Sequence, residues 1–536
     1  MSVTVAMIGA GSIGFTRRLV QDILAVPEMA GTTFHLTDIS ERNLDMVAQL
    51  CRRDIEAHHL PAKVKTFLNR RAAFTGADYV ICTIRQGGLE AFQLDIEIPL
   101  RYGVDQCVGD TLCAGGIMYA QRTIPALLDF CRDIRAVAKP GAWLLNYSNP
   151  MAMNTWACHK YGSVKTVGLC HGVQGAHWQI TSCIERWAKQ QGLLQANEKL
   201  HRRDVDVIAA GINHQTWFIQ VRWRGIDMLP RLAELFAADP TLARTEKVRI
   251  DVLRRFGYYS TESNGHLSEY LPWYRKRPEE INQWIDLSSW IHGETGGYLR
   301  VCTEGRRWFE ADFPNWLKEP PPPIGPAQRS EEHGSYIIEA LETGRVYRGH
   351  FNVANQSHIT NLPEGAIVEI PGYVDRNGLN MPVIGALPLA CAATCAASIR
   401  VQEMAMEAAV HGDVLLLKQA LLHDPLTAAV CNPEEIWQMT DELLVAQAAW
   451  LPQYAAEIPA ARRRLEEAQR TGTRVALKND YRGAARVAPK SVTEMARQRA
   501  AARANAAAAD KANLPPTTAS PETKLDTILP PIPKRQ

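Results

Sequence analysis

The sequence predicts an α/β fold, in which an N-terminal doubly wound parallel sheet over residues 1–200 is followed by a mixed α+β domain over residues 201–470. Three observations predict it. Short apolar runs alternate with helical periodicity through the first 200 residues. A glycine turn joins the first run to the first helical pattern, and beyond residue 200 the runs read as antiparallel strands. At 536 residues the chain exceeds the roughly 250–300 that a single core usually holds, so two closely joined domains are expected.

Val3 to Ile8 is the first strand, Gly9-Ala10-Gly11-Ser12-Ile13-Gly14 the turn, and Leu19, Ile23 and Leu24 mark one face of the helix that follows. In G-x-G-x-x-G the first glycine allows the tight turn, the second lets backbone approach a pyrophosphate, and the third lets the helix pack on the strand. The helix N-terminus then offers free N–H groups to phosphate. A second strand, Thr33 to Thr37, ends at Asp38, where a carboxylate can accept from ribose hydroxyls and repel the extra phosphate of NADP. Gly9, Gly11, Ser12, Gly14 and Asp38 are therefore the expected cofactor contacts, with NAD as the cofactor. The competing reading is a glycine turn in an unrelated α/β protein.

Further strands are expected at Asp78 to Thr83 and Ala142 to Tyr147, with a helical stretch from Ile124 to Val137 between them. Polar loops follow both strands, Arg85-Gln86-Gly87-Gly88 and Ser148-Asn149-Pro150, and loops at carboxyl strand ends are where such folds bind ligands. The glycine-bearing run Gly109 to Ile117 reads by composition as a helix entry. Val164 to Leu169 is another short strand, and it delivers Cys170-His171-Gly172 to the same end. Past residue 200 come strand-like Val205 to Ile208, the Asn213-His214 segment, and Phe218 to Trp223. Helices are expected around Arg231 to Phe236, Thr245 to Phe256 and Glu332 to Leu341, strands at His350 to Ala354 and Ala366 to Pro371, and long helices from Cys391 to Ala409 and Val414 to Leu422. The last helix ends near Gln469. Residues 484–536 lack aromatics and are rich in alanine and proline, which predicts a disordered tail with one helix across Ser491 to Ala509.

Composition narrows the function. With 59 basic and 57 acidic residues, the charge of +2 gives no reason to invoke nucleic acid or a membrane surface as partner. No apolar run reaches the roughly 18 residues of a spanning helix, and no signal peptide precedes the first strand, so the expected location is the cytoplasm. Twelve scattered cysteines, many in apolar segments, read as buried thiols.

The motifs together resemble the NAD- and divalent-metal-dependent enzymes of glycoside hydrolase family four. The resemblance rests on Gly9-Ala10-Gly11-Ser12, Asp110 with Gly115-Gly116-Ile117, Arg122 to Pro125, Asn146 to Trp156, Gly168-Leu169-Cys170-His171, Gly211-Ile212-Asn213-His214, and Thr261-Glu262-Ser263 through Glu269-Tyr270-Leu271-Pro272-Trp273. It spans Val3 to about Trp450 and is nearest to the bacterial α-galactosidase branch. The family is an exception to two-carboxylate glycoside hydrolysis.

The resemblance implies a lactate/malate dehydrogenase-like, Rossmann-type architecture. It also implies a cycle of C3 oxidation by NAD, C2 deprotonation, elimination of the aglycone, water addition and re-reduction. Cys170 and His214 correspond to the ligands of a metal, usually Mn2+; Tyr270 to the C2 base; His171 to a residue that assists the leaving group and touches sugar; Asp110 to an active-site acid; and Asn149 to a sugar contact. Family members commonly form homodimers or homotetramers. Without that context, Cys170 reads as a buried thiol, His214 as a core histidine and Tyr270 as part of an aromatic cluster with Trp273 and Tyr274. Two departures bear on the substrate. Gly172 stands where related α-galactosidases tend to have serine, and Cys113-Ala114 replaces a usual Gly-Pro. Arg300, Arg306 and Arg307 are candidate partners for an anionic sugar. The alternatives are an α-galacturonidase or α-glucuronidase of the same mechanism, an NAD-dependent sugar or hydroxy-acid dehydrogenase, and a nucleotide-sensing protein without turnover.

Overall fold

Thirteen strands join in one sheet among the described residues, 3–12 and 14–501, of a computed structural model. They are β1 Thr4–Ile8, β2 Thr33–Thr37, β3 Lys63–Phe67, β4 Tyr79–Cys82, β5 Trp143–Asn146, β6 Lys165–Gly168, β7 Asp206–Ile212, β8 Gln215–Trp223, β9 Ile226–Asp227, β10 Tyr259–Ser260, β11 Tyr347–Ala354, β12 Ile367–Asp375 and β13 Gly378–Asn380. The first six are parallel in the order β3-β2-β1-β4-β5-β6. The apolar runs of β1, β2, β4 and β5 follow from that arrangement, because parallel strands are covered by helices on both faces, whereas the edge strand β3 is largely exposed. The order reverses between β1 and β4, so the loops after these strands diverge and open a crevice.

Beyond β6 the sheet continues antiparallel through β11, β12, β7, β8 and β10. Residues before and after position 200 therefore share one sheet, joined where Asn352 of β11 faces Gly168 of β6. By internal contacts the chain groups as Met1–Ala488 and Pro489–Gln536. No described helix is long and apolar enough to cross a membrane.

The helix Cys113–Val137 starts within the glycine-bearing run, as a helix entry. Close packing explains its glycines: a Cβ on Gly116 would lie 2.5 Å from the Thr111 carbonyl carbon, and one on Gly115 2.6 Å from the Gly109 oxygen. Cys113 sits at φ +61°, a left-handed conformation that favours glycine. The residues of the tight loop before it are thereby fixed against the helix.

The last long helix, Ile458–Thr471, ends at Gly472 (φ +72°), close to the expected end at Gln469. The chain then folds back, which corrects the expected start of the tail at residue 484. Tyr481 Oη and the Ala484 amide donate to Asp105 at 3.1 and 3.0 Å, the Ala485 carbonyl accepts from Thr295 N at 2.6 Å, and Val487 N donates to Glu294 at 3.1 Å. Composition missed this strap because buried carboxylates hold its backbone where an apolar face is lacking. In the second unit a helix covers 492–501, capped reciprocally by Ser491 and Glu494. The rest of the expected tail, including the helix as far as Ala509, lies outside the described residues.

Asp105 ties the strap to the core. Its side chain and that of Arg275 are both fully buried and ion-paired, and Thr295 Oγ1 donates to its other oxygen at 2.8 Å. Asp105→Ala leaves the Arg275 guanidinium buried without its carboxylate, for which the expected cost is about 3–5 kcal/mol. Urea unfolding of the variant checks this, as a lower midpoint accompanied by proteolytic release of the strap.

Candidate active site

The loops after β1, β4, β5 and β6 meet at the crevice. At β1, Gly9 takes φ +80° and a Cβ there would lie 2.7 Å from the Thr83 carbonyl, so only glycine fits. A Cβ on Gly11 would lie 3.0 Å from Asp38 Oδ2, the same oxygen that accepts the Gly11 amide at 2.8 Å. Asp38 also accepts from Ser40 N at 2.8 Å, so it braces the glycine loop against the end of β2. Ser12 closes the turn, its amide donating to Gly9 O at 3.0 Å. Gly14 departs from its expected part. It is exposed and a Cβ there meets nothing within 4 Å, so helix packing does not require it. The helix Thr16–Leu24 begins without an acidic residue in its first turn, leaving its positive end to an anion.

Cys170 follows β6, and its half-buried thiol accepts the Gly172 amide at 3.4 Å, at the first turn of the helix Gly172–Gln190. His214 comes from the two-residue turn Asn213-His214 between β7 and β8, at φ +64°, a conformation uncommon for a non-glycine residue. Its imidazole is buried. Thr111 Oγ1 lies 2.8 Å from His214 Nδ1 and 3.0 Å from Asp110 Oδ1. A carboxylate can only accept, so the Thr111 hydroxyl donates to Asp110 and receives the Nδ1 proton; Nε2 keeps its lone pair. That lone pair faces Glu262 Oε1 at 3.7 Å, and Cys170 Sγ lies 3.8 Å from the same oxygen. Ligand atoms of Cys170, His214 and Glu262 all fall within 4.8 Å of one another, a spacing that suits one cation. Glu262 is 7 % exposed. Burial alone would raise its carboxyl, but the positive charge of His214, His266 and His171 when protonated, with that of the Arg249 guanidinium, outweighs burial and lowers it to about 2. Burial and the carboxylates of Glu262 and Glu369 push the Cys170 thiol up.

Asp110 is 1 % exposed, and its Oδ2 receives Arg85 at 3.1 Å and Asn149 Nδ2 at 3.2 Å. The Arg85 guanidinium is held over Phe92, 4.3 Å from the ring centre, and beside Tyr119 and Tyr298. Tyr270 ends the helix Asn264–Tyr270, 1 % exposed, with its hydroxyl 3.3 Å from His214 Nδ1. Burial together with Glu269 and Asp110 pushes this phenol well up, against a smaller lowering by Thr111. The neighbouring Glu269 takes the amides of Cys107, Val108 and Gly109 at 2.6, 2.9 and 3.0 Å, which fixes the loop leading to Asp110. His171 points outward, its side chain 64 % exposed, with Nδ1 3.4 Å from Glu332, the group that raises its pKa.

Cys170, His214, Tyr270, Asp110 and Asn149 thus form one connected cluster, and His171 stands at its rim. Sequence reasoning passed over Glu262, Thr111 and Glu332. Glu262 stood within a quoted motif but 92 residues from Cys170, and no spacing ties it to the thiol. Two candidate anion partners are already engaged, since Arg300 pairs with Glu294 and Glu304 and Arg306 with Glu90.

Residues 4–185 match the family 4 glycosyl hydrolase model, and residues 209–427 match the model of the family 4 glycosyl hydrolase C-terminal domain. An α-galactosidase of Rhizobium meliloti (strain 1021) is 57 % identical over 94 % of this chain and 99 % of its own length. An α-galactosidase of Bacillus subtilis (strain 168) is 34 % identical, over 84 % of this chain and 99 % of its own. Among solved structures, the 6-phospho-β-glucosidase of Thermotoga maritima with manganese, NAD+ and glucose-6-phosphate superposes with a TM-score of 0.65 at 22 % identity, over 84 % of this chain and 99 % of that one, and shares the fold.

Proposed function

The chain belongs to family 4 of the glycosyl hydrolases, and from that premise we propose that it is an NAD- and Mn2+-dependent α-galactosidase whose reaction is carried by the cluster at the carboxyl ends of β5 and β6. The observation that supports this most is the convergence of Cys170, His214 and Tyr270. The galactoside is supported by the 57 % identical relative and by the engagement of Arg300 and Arg306 with carboxylates, which leaves neither free for a uronic acid.

The residues fit both groups. Gly9 and Gly11 let the turn pack tightly against Thr83 and Asp38 ahead of a helix N-terminus, with Asp38 at the end of β2, the arrangement in which dinucleotide folds bind NAD. Cys170 and His214 offer a soft and a borderline donor, with the Nε2 lone pair of His214 fixed by Thr111. When bound, NAD takes up and returns a hydride at the sugar C3, and the cation polarises the oxygens on C2 and C3.

Asn149, after β5, and Asp110, in the loop before the helix Cys113–Val137, orient the sugar ring, with Arg85 holding the Asp110 carboxylate in place. Tyr270 takes the C2 proton at its phenolic oxygen, which lies 3.3 Å from His214 Nδ1. Glu269 keeps the phenol and the Asp110 loop in register by holding three backbone amides. His171, on the solvent side, gives its proton to the departing C1 oxygen, and Glu332 favours the protonated form it needs. The chain works as a homo-oligomer, dimer or tetramer, in the cytoplasm. Exposed Leu389, at the start of the apolar helix Leu389–His411, and exposed Val383 support the former, and a set of free thiols, most of them buried, the latter.

The test is hydrolysis of 4-nitrophenyl α-galactoside and of the matching galacturonide and glucuronide, with NAD, Mn2+ and a thiol reductant present or omitted. Release of nitrophenol from the galactoside is expected to need both NAD and Mn2+, without net NADH. Release without NAD, or NADH without nitrophenol as a dehydrogenase would give, overturns the mechanism. Preference for a uronide overturns the substrate.

A further inference from the structure

Gly172 has no backbone reason to be glycine. It opens the helix Gly172–Gln190 and is not among the residues with positive φ. Its reason is a neighbour. A Cβ at this position would lie 2.1 Å from Glu262 Oε1, 3.1 Å from the Glu262 carboxyl carbon and 3.6 Å from Cys170 Sγ. The oxygen that fills this space is the one that faces both His214 Nε2 and Cys170 Sγ.

We propose that Gly172 is the gate of the cation site: its missing side chain admits Glu262 as a third protein ligand beside Cys170 and His214. The inference rests on the reading of Cys170 and His214 as the metal pair. Three things in the site agree with it. The second oxygen of Glu262 lies 3.5 Å from His266 Nδ1, a nitrogen already engaged by Ser263 Oγ at 2.6 Å, while Oε1 faces the donors. A carboxylate oxygen gives a manganese ion the hard ligand that thiolate and imidazole lack. Two anionic ligands also balance a dication within a buried site, and three protein ligands leave open positions for substrate oxygens. Position 172 therefore sets the ligand number, and a serine there places its side chain where Oε1 now stands.

The steric conflict involves the far end of a flexible side chain, so substitution moves Glu262 without disturbing the fold. The experiment is Mn2+ titration of the full-length protein with NAD, followed by the electron paramagnetic resonance signal of free Mn2+. The variants are Gly172→Ala, Glu262→Ala, the two combined, and Cys170→Ala. Gly172→Ala and Glu262→Ala are each expected to weaken Mn2+ binding by about tenfold or more. In the double variant Gly172→Ala adds nothing, because no carboxylate remains to displace. NAD affinity and circular dichroism stay at wild-type values in all. Wild-type Mn2+ affinity in either single variant, or additive losses in the double, overturns the gate. Cys170→Ala separates the premises: if it binds Mn2+ as wild type does, the metal pair itself is wrong; if it alone loses Mn2+, only the third ligand is.

Discussion

Cys170→Ala is expected to lower kcat/KM for 4-nitrophenyl α-galactoside by about a thousandfold or more while NAD binds as before. The magnitude follows from losing a ligand to the ion that stabilises charge on the sugar oxygens, a contribution of about 4 kcal/mol. The thiol is half-buried, accepts one amide and belongs to no disulfide, so removing it costs the fold little. NAD affinity is spared because Gly9, Gly11 and Asp38 are braced against each other at the ends of β1 and β2, on strands that do not carry Cys170. Initial rates across an Mn2+ titration, with NAD binding read by fluorescence, check both halves. Unchanged activity would remove Cys170 from the metal site.

Tyr270→Phe carries the second large effect, a loss in kcat of about 10²–10⁴-fold, the usual contribution of a positioned base. The ring stays, packed parallel to His214 with centroids 6.3 Å apart, and Thr111 continues to hold His214 Nδ1. Binding of Mn2+ and NAD is therefore expected to remain at wild-type levels. The specific readout is exchange of the C2 proton with deuterated solvent during turnover, which the variant loses in step with kcat. Phenol buried beside Glu269 and Asp110 is a poor base until a cation offsets those carboxylates, so activity and metal occupancy are coupled at this residue. A variant within tenfold of wild-type kcat would show that another group removes the proton.

The engineered losses fall on residues that the sequence already picked out, whereas the controls on them do not. Cys170 and His214 stood at the ends of recognisable strands, and Tyr270 in an aromatic run, so their type and place could be read locally. Thr111 and Glu262 are ordinary residue types in loops. Their importance comes from contacts with His214 across 103 residues in one case and with Cys170 across 92 in the other. Gly14 shows the converse: a perfect motif position whose packing role the structure does not require. Gly172 departs from the family pattern, and only the fold shows its neighbour, Glu262.

The sequence by itself determined the parallel half of the sheet, the glycine loop with Asp38, and the antiparallel pair around Asn213-His214. Those features are written in periods of two and 3.6 residues and in turn chemistry, which act over a few neighbours. Only the tertiary structure decided that β11 and β12 bridge the two halves into one sheet, that residues 484–488 fold back onto Asp105 and Glu294, and that Glu262 enters the space left by Gly172. The physical reason is the same for all three. Each depends on strand register and on which buried carboxylate finds a donor, and both are set by packing between segments far apart in the chain.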